Sequence, residues 1–172
     1  MSTLDLINIS AEVVSFTDID NKKLYTELVG LDERASYDPT SVKFEDRIIP
    51  YQEGSEFEKL IRKILDIGNE KGLSLLHYHA LIHQPLEATD THHHLNFSNN
   101  TTSLSWVYYV SVPKDSGKLI FMLDAYRLMP SYTYEPVEGM LVLFPSWLLH
   151  KVTKNMSNDV RISIAGDFGV SY

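Results

Sequence analysis

The sequence predicts an α+β chain that ends in a β-barrel or a β-sandwich. Apolar residues recur at helical spacing within the first 72 residues. After Gly72 the chain becomes a series of short segments rich in Val, Leu, Ile, Tyr and Phe, separated by Asn, Ser, Gly or Pro. A length of 172 residues, 44% of them hydrophobic, suits one domain with a substantial core. Helices followed by a run of strands are typical of an α+β fold.

The N-terminal region predicts one or two strands and a first helix. Residues 4–16 are rich in Leu, Ile and Val, as expected of a strand. A helix is predicted over about 20–29, with Asp18 or Asp20 as its N-cap. Residues 31–53 contain two prolines and are interpreted as loop and short strand.

The second helix has a clearer beginning and end. Ser55 followed by Glu58 predicts a capping box, in which hydroxyl and carboxylate satisfy each other's free N–H groups. One apolar face follows at helical spacing, formed by Phe57, Leu60, Ile61, Ile64 and Leu65. Gly72 is expected to end the helix.

The remainder of the chain predicts seven strands. They are expected at 73–83, 92–95, 104–112, 117–123, 136–144, 147–153 and 160–168. Pro and Gly are sparse and scattered, so no linker divides the chain. We therefore expect a single domain over 1–172, with support in 1–72 and a β core in 73–172.

The composition excludes several classes of chemistry. The formal charge of −8 argues against binding to nucleic acid or to an anionic membrane. The absence of cysteine excludes disulfides, thiolate nucleophiles and iron–sulfur clusters. The N-terminus has no secretory signal pattern, and no apolar stretch is long enough to cross a bilayer. These features predict a cytoplasmic protein, and its strand edges are compatible with a homodimer.

Six of the seven histidines lie between positions 77 and 94, and the seventh is His150. Residues two apart share a face of a strand, so two His-x-His pairs, His77/His79 and His92/His94, could each bind a divalent metal. The alternative interpretation is a set of surface or hydrogen-bonded core histidines. A distant histidine on another strand, such as His150, would complete a facial triad of the kind found in a double-stranded β-helix.

A second candidate feature is the Arg161-Ile-Ser163 segment. Arg161 and Ser163 share a face by the period-two rule, and a buried Arg beside a hydroxyl makes a good carboxylate receptor. The alternative interpretation is a surface Arg paired with a Glu.

The C-terminal half resembles a known enzyme family. The segment from Gly139 to Asn155, Gly-Met-Leu-Val-Leu-Phe-Pro-Ser-Trp-Leu-Leu-His-Lys-Val-Thr-Lys-Asn, is followed by Arg161-Ile-Ser-Ile. It resembles small, prolyl-hydroxylase-like Fe(II)- and 2-oxoglutarate-dependent oxygenases, of a type often encoded by bacteriophages. The strands 104–110 and 116–121 are similar to the preceding strands of that family, and the resemblance covers roughly 73–168.

This resemblance implies a fold and a site. The fold would be a double-stranded β-helix, a jelly-roll or cupin-like barrel with two or so N-terminal packing helices. Fe(II) would be bound by His92, His94 and His150. The outer carboxylate of 2-oxoglutarate would be bound by Arg161 with Ser163, and by the hydroxyl of Tyr109.

The resemblance also implies an activity. The enzyme would be a dioxygenase that uses 2-oxoglutarate and O2 and releases succinate and CO2. It would hydroxylate a C–H bond of a peptidyl residue, such as proline, or of a small metabolite. If the chain is viral, the location would be the host cytoplasm.

Several alternatives stay open at this stage. Asp90 lies two residues before His92 and could replace His94 as the third ligand, although it sits among threonines where an Asp commonly bonds its own turn. A cupin would use the same barrel, but its first motif requires a Glu that 95–102 lacks. A non-enzymatic β-sandwich binding or virion-associated protein is the third interpretation.

Two further expectations concern residues outside this set. His77, His79 and His83 are not expected to bind iron, because they lie far in sequence from the Tyr108-Tyr109 strand. The loop 96–102 is longer than expected for the small type and is interpreted as a candidate substrate loop.

Overall fold

The computed structural model describes residues 9–29, 52–95, 102–123 and 131–170. Two helices come early in this part of the chain, α1 (Asn21–Val29) and α2 (Glu56–Glu70). The strands are β1 (Glu12–Ser15), β2 (Ser74–His83), β3 (Thr89–His92), β4 (Thr102–Ser111), β5 (Leu119–Met122), β6 (Ser131–Tyr134), β7 (Met140–Pro145), β8 (Leu149–Val152) and β9 (Arg161–Gly169).

The strands form two antiparallel sheets. The larger sheet has the order β1-β7-β4-β9-β2, and the smaller has the order β3-β8-β5-β6. The chain crosses repeatedly between the sheets, which is the arrangement of a double-stranded β-helix. The α+β fold class predicted from the sequence is confirmed, and β1 adds an edge strand to the larger sheet by pairing with β7.

The helices cover the outer face of the larger sheet. Asp20 caps α1, because its carboxylate accepts hydrogen bonds from the backbone N–H groups of Lys22 and Lys23 at 3.1 Å. Ser55 caps α2, and its hydroxyl accepts from the N–H of Glu58 at 3.0 Å. The Glu58 carboxylate accepts from Gly54, not from Ser55, so only half of the predicted capping box is formed.

Each face of the larger sheet has its own apolar cluster. The outer cluster joins the helices to the sheet through fully buried residues that include Leu24, Leu60, Trp106 and Phe168. The inner cluster lies between the two sheets and includes Val107, Tyr109, Leu119, Phe121, Val142 and Phe144. Alternate residues of β4 therefore belong to opposite clusters, as the two-residue period of a strand requires.

Two strand predictions were wrong in their bounds, and one strand was missed. The strand expected at 92–95 lies at Thr89–His92, where Thr89 pairs with Val152 and the chain leaves the ladder after His92. The strand expected at 136–144 begins only at Met140, because a turn closed by a hydrogen bond from the N–H of Met140 to the carbonyl of Val137 precedes it, with Gly139 at a positive φ of 79°. Strand β6 was not predicted at all.

Some expectations concern residues that the structure does not describe. The first part of the 4–16 strand, most of the 31–53 segment and nearly all of the 96–102 loop lie outside the described ranges. Neither α1 nor α2 has the length and apolar character that crossing a membrane requires.

Candidate active site

Three histidines converge inside the barrel, two from strands of the smaller sheet and one from the segment that follows β3. His92 ends β3 and is the cross-strand partner of His150 in β8, while His94 follows two residues after β3. A backbone hydrogen bond of 2.8 Å from the N–H of His94 to the carbonyl of Ser146 holds His94 beside them. One ring nitrogen of each histidine lies within 4.8 Å of the other two, a spacing suited to one metal ion.

The hydrogen bonds of the three rings orient the same nitrogen of each toward the common centre. The Nδ1 atoms of His92 and His150 lie 2.8 and 2.9 Å from the carbonyl oxygens of Asp90 and Leu148. The Nδ1 atom of His94 lies 3.1–3.2 Å from the carboxylate of Asp167. Because each Nδ1 faces an acceptor, each Nδ1 is expected to carry the proton and each Nε2 a lone pair.

The surroundings keep two of these imidazoles neutral. Burial, and after it the nearby His92, lower the pKa of His150 to about 3. Burial also lowers the pKa of His92, although its hydrogen bond to the carbonyl of Asp90 acts in the opposite direction. The Nε2 atoms of His92 and His94 lie only 3.2 Å apart, so two lone pairs face each other. Three convergent lone pairs fit a divalent cation.

A buried carboxylate that the sequence analysis missed supports this cluster. Asp167 in β9 is 2% exposed and accepts a hydrogen bond of 2.5 Å from the hydroxyl of Ser105, which also lies 3.1 Å from the hydroxyl of Ser146. Burial favours a raised pKa for Asp167, but the hydrogen bonds from His94 and Ser105, together with the neighbouring His94 and His77 imidazoles, outweigh it and hold that pKa below its usual range. Asp167 is therefore an ionised acceptor.

A cavity of about 380 Å³ extends from the histidines across the inner face of the larger sheet. Its floor is β9, whose residues 161, 163, 165 and 167 face inward and are flanked by β4 and β2. Three cross-strand rows cover this face: Ser105, Asp167 and His77; Val107, Ala165 and His79; Tyr109, Ser163 and Leu81. The last inward residue, Arg161, pairs with His83.

Arg161 places a nearly unpaired cation at one end of this cavity. Its side chain is 1% exposed, one guanidinium nitrogen donates to the carbonyl of Ser116 at 3.1 Å, and its Nε has no partner. Burial lowers the pKa of Arg161 to about 10, which leaves it protonated at neutral pH. No carboxylate in the described part of the chain pairs with it. Burying a guanidinium without an anion costs free energy of folding. A guanidinium in this state is well suited to bind an anion.

Two hydroxyl groups lie on the same part of the cavity wall. Ser163 shares the inner face of β9 with Arg161, and Tyr109 is its cross-strand partner on β4. Burial raises the pKa of Tyr109 well above its usual range, and the Arg161 guanidinium offsets only part of that shift. Tyr109 is therefore a neutral phenol that can donate a hydrogen bond.

Gly117 allows the Arg161 guanidinium to reach this position. Its φ of +101° is in a region that favours glycine, and an added Cβ would lie 3.0 Å from a guanidinium nitrogen of Arg161 and collide with the carbonyl of Thr153. We expect Gly117→Ala to lower the free energy of unfolding by about 1–3 kcal/mol, measured by urea denaturation. Gly54→Ala is the matched control, because its φ is also positive, at +75°, but an added Cβ meets nothing within 4 Å. An equal loss in both variants would show that the close approach of Arg161 and the Thr153 carbonyl is not what requires Gly117.

The remaining candidate residues lie away from the triad's common centre. Asp90 is exposed, and only its backbone carbonyl contacts His92. His77 lies at the rim with its Nε2 3.2 Å from Asp167, and its side chain is 55% exposed. His83 is buried, and its Nε2 lies 2.8 Å from the hydroxyl of Thr89. Among the described residues, His92, His94 and His150 form the one group of three with metal-binding geometry.

The sequence matches a family model described as "Putative 2OG-Fe(II) oxygenase", where 2OG is 2-oxoglutarate, over residues 78–167. This match spans more than half of the chain and contains the three convergent histidines together with Tyr109, Arg161, Ser163 and Asp167. The chain belongs to this family of 2-oxoglutarate- and Fe(II)-dependent oxygenases. It is accordingly a dioxygenase that requires Fe(II) and uses 2-oxoglutarate and O2 as co-substrates. No curated protein matches the sequence.

Solved structures share the fold over nearly the whole chain. A prolyl-4-hydroxylase from Pseudomonas putida superposes with a TM-score of 0.74 at 22% identity, covering 98% of this chain and 96% of that chain. A viral collagen prolyl hydroxylase from Paramecium Bursaria Chlorella virus-1, in a 2-oxoglutarate complex, gives a TM-score of 0.66 at 12% identity, covering 94% and 96%. The carbocyclase SnoK from nogalamycin biosynthesis gives 0.70 at 15% identity, covering 92% and 79%. At these identities the likeness shows the double-stranded β-helix fold.

Proposed function

We propose that His92, His94 and His150 bind Fe(II), and that Arg161 binds the outer carboxylate of 2-oxoglutarate with Ser163 and Tyr109. The observation that carries this proposal is one cavity with two complementary unsatisfied ends. Three imidazole nitrogens with free lone pairs converge at one end, and a buried guanidinium without an anion lies at the other.

Each group in the cavity has a distinct part in the proposed reaction. When bound, the iron and 2-oxoglutarate supply the activation of O2, with 2-oxoglutarate leaving as succinate and CO2. The histidines orient three neutral nitrogens without a proton to displace, because their Nδ1 protons face other acceptors. Arg161 fixes one end of the co-substrate by a charge-assisted pair of hydrogen bonds, and Tyr109 adds a neutral donor. The apolar inner cluster excludes water from the reacting groups.

The family match removes the two alternative classes. A cupin gives no role to a carboxylate receptor on β9, whereas Arg161 is one of the largest fully buried side chains and lines the cavity. A non-enzymatic β-sandwich would gain nothing from a buried guanidinium that lacks an anionic partner. The helices and β1 pack on the larger sheet, which supports the proposal of a single oxygenase domain over 1–172.

We further propose that the substrate is a peptidyl residue, with proline as the first candidate. The rim of the cavity carries exposed side chains, including Asp90, Thr91 and His77, so an extended chain can lie across it and present one residue to the histidines. Two of the solved structures with this fold are described as a prolyl-4-hydroxylase and a viral collagen prolyl hydroxylase. A small metabolite is the second candidate.

The test begins without a prime substrate. Fe(II) and 2-oxoglutarate added together under anaerobic conditions are expected to give a weak visible charge-transfer band, absent with either component alone. In air, succinate formation is then expected to rise when proline-containing peptides are added, and free proline is the matched small-molecule control. Absence of the band with both components present would overturn the proposed site. Stimulation by free proline but not by peptides would overturn the peptidyl assignment alone.

A further inference from the structure

We propose that Asp167 is a positioning residue that fixes the tautomer and orientation of His94 and provides, through that imidazole, the negative charge of the metal centre. This inference rests on the proposed function, because it takes His94 as a metal ligand. The observation behind it is the contact of 3.1–3.2 Å between the Nδ1 of His94 and the carboxylate of Asp167.

The proposed ligand set lacks a charge that such centres usually carry. In the common two-His-one-carboxylate triad, one ligand is an anion that offsets part of the charge of Fe(II). His92, His94 and His150 are all uncharged donors. Asp167 is the carboxylate that contacts one of these rings among the described residues, and the other two rings bond to backbone carbonyls. His94 is therefore the ligand with the most basic outer partner.

The fold holds Asp167 rigidly for this role. It lies between its two cross-strand partners, Ser105 on β4 and His77 on β2, in the central strand of that group. The hydroxyl of Ser105 donates to Oδ1 at 2.5 Å, and the side chain of Asp167 is 3% exposed. A carboxylate held in this way cannot turn toward solvent, so its remaining hydrogen-bond acceptor sites face His94 and His77.

The competing explanation is that Asp167 serves only as the partner of His77. The Nε2 of His77 lies 3.2 Å from Oδ2, but the side chain of His77 is 55% exposed while that of His94 is 16% exposed. A contact to an exposed imidazole is screened by water and contributes little. It does not account for burying a carboxylate beside a proposed metal ligand. The two explanations differ in what Asp167→Asn does to metal affinity, because a carboxylate that served only His77 could be replaced without weakening Fe(II) binding.

The experiment is a double-mutant cycle on metal affinity. The anaerobic dissociation constant for Fe(II), without 2-oxoglutarate, is measured by chelator competition for the unmodified chain, Asp167→Asn, His94→Asp and the double variant. With His94 present, Asp167→Asn is expected to weaken Fe(II) binding by about 10–100-fold, the usual cost of losing such a partner. In the His94→Asp background, the ligand itself carries the charge, and the same change is expected to cost less than about threefold.

Two controls separate this positioning role from a general effect of net charge and from an effect through His77. The first control, Asp66→Asn, removes one negative charge from the exposed face of α2. The second, His77→Ala, removes the other imidazole that contacts Asp167. Each is expected to change Fe(II) affinity by less than about threefold. An equal cost of Asp167→Asn in both backgrounds would show a purely structural role and overturn the proposal. So would an unchanged affinity in Asp167→Asn when His94→Ala abolishes binding. If His94→Ala itself keeps full affinity, the proposed ligand set is wrong instead.

A measurement on the unmodified chain keeps the proposal testable if Asp167→Asn does not fold. In the Zn(II)-loaded protein, proton NMR is expected to show a strongly downfield Nδ1–H signal from His94, coupled to an Nε2 with the nitrogen shift of a metal ligand. A His94 ring protonated at Nε2 would overturn the assignment.

Discussion

Replacing Arg161 with methionine is expected to remove 2-oxoglutarate binding while Fe(II) binding stays in place. A buried guanidinium can give a carboxylate two charge-assisted hydrogen bonds, each worth about 1.5–3 kcal/mol, and methionine keeps the length of the side chain without any donor. Loss of both bonds corresponds to a rise of about 100-fold or more in the dissociation constant. Calorimetric titration of 2-oxoglutarate into the anaerobic Fe(II)-loaded protein measures this constant.

The control for this substitution is Arg62→Met, which makes the same change at an exposed arginine paired with Glu58 on α2. It is expected to leave 2-oxoglutarate affinity unchanged. Arg161→Lys is expected to fall between the unmodified chain and Arg161→Met, because lysine keeps the charge but not the planar fork. Unchanged 2-oxoglutarate binding in Arg161→Met would contradict the assignment of this residue.

The same variant distinguishes a receptor from a structural arginine. In the ligand-free protein, Arg161 bears the cost of a buried charge with one hydrogen bond to Ser116. Arg161→Met is therefore expected to melt at the same or a higher temperature than the unmodified chain without ligand. Adding 2-oxoglutarate should then raise the melting temperature of the unmodified chain only, because a ligand stabilises the folded state that binds it. A lower melting temperature of the ligand-free variant would indicate a structural role.

The parts of the fold that local chemistry determines were predictable from the sequence. Helix α2 begins after its Ser55 cap and buries Phe57, Leu60 and Ile64 of the predicted apolar face, whereas Leu65 of that face is exposed. Strand β9 lies at Arg161–Gly169, close to the predicted 160–168. Its run of apolar residues is typical of a central strand that is covered on both faces. These elements carry their signals in neighbouring residues.

The parts that failed depend on partners elsewhere in the chain. Strand β6 is four residues long and mostly exposed, and it forms by pairing with β5. Its sequence, Ser-Tyr-Thr-Tyr, has no buried face of its own to reveal it. The ladder of β3 was placed three residues too late, because Thr89 and His92 are fixed by their pairing with Val152 and His150. No local pattern encodes that register.

The candidate site divides in the same way. The cluster of His92, His94 and His150, and the Arg161-x-Ser163 pair, were proposed from spacing and resemblance, and the structure brings the members of each set together. Asp167 was missed, although the signal was present. It lies on the same face as Arg161 and Ser163 by the period-two rule, and a charged residue in a strand predicted to be buried requires a partner. The identity of that partner, His94, could come only from the fold.

His94→Ala is expected to lose Fe(II) affinity by more than about 100-fold, a larger cost than that of losing an outer partner such as Asp167. The reason is geometric: its ring nitrogen is one of three that lie within 4.8 Å of one another, and its removal leaves two. The change is measured by anaerobic chelator competition, with circular dichroism to establish that the variant is folded.

Asp90→Ala is the matched control, and the pair decides which residue is the third ligand. The exposed Asp90 supports His92 through its backbone carbonyl, which alanine retains, so this variant is expected to keep its Fe(II) affinity. His94→Asp is expected to bind Fe(II) as well, because it restores the two-His-one-carboxylate set. The opposite ranking, with loss in Asp90→Ala and retention in His94→Ala, would move the ligand to Asp90. The enzyme would remain an oxygenase, since Arg161 and the family match do not depend on that choice, but Asp167 would then support a residue that does not touch the metal.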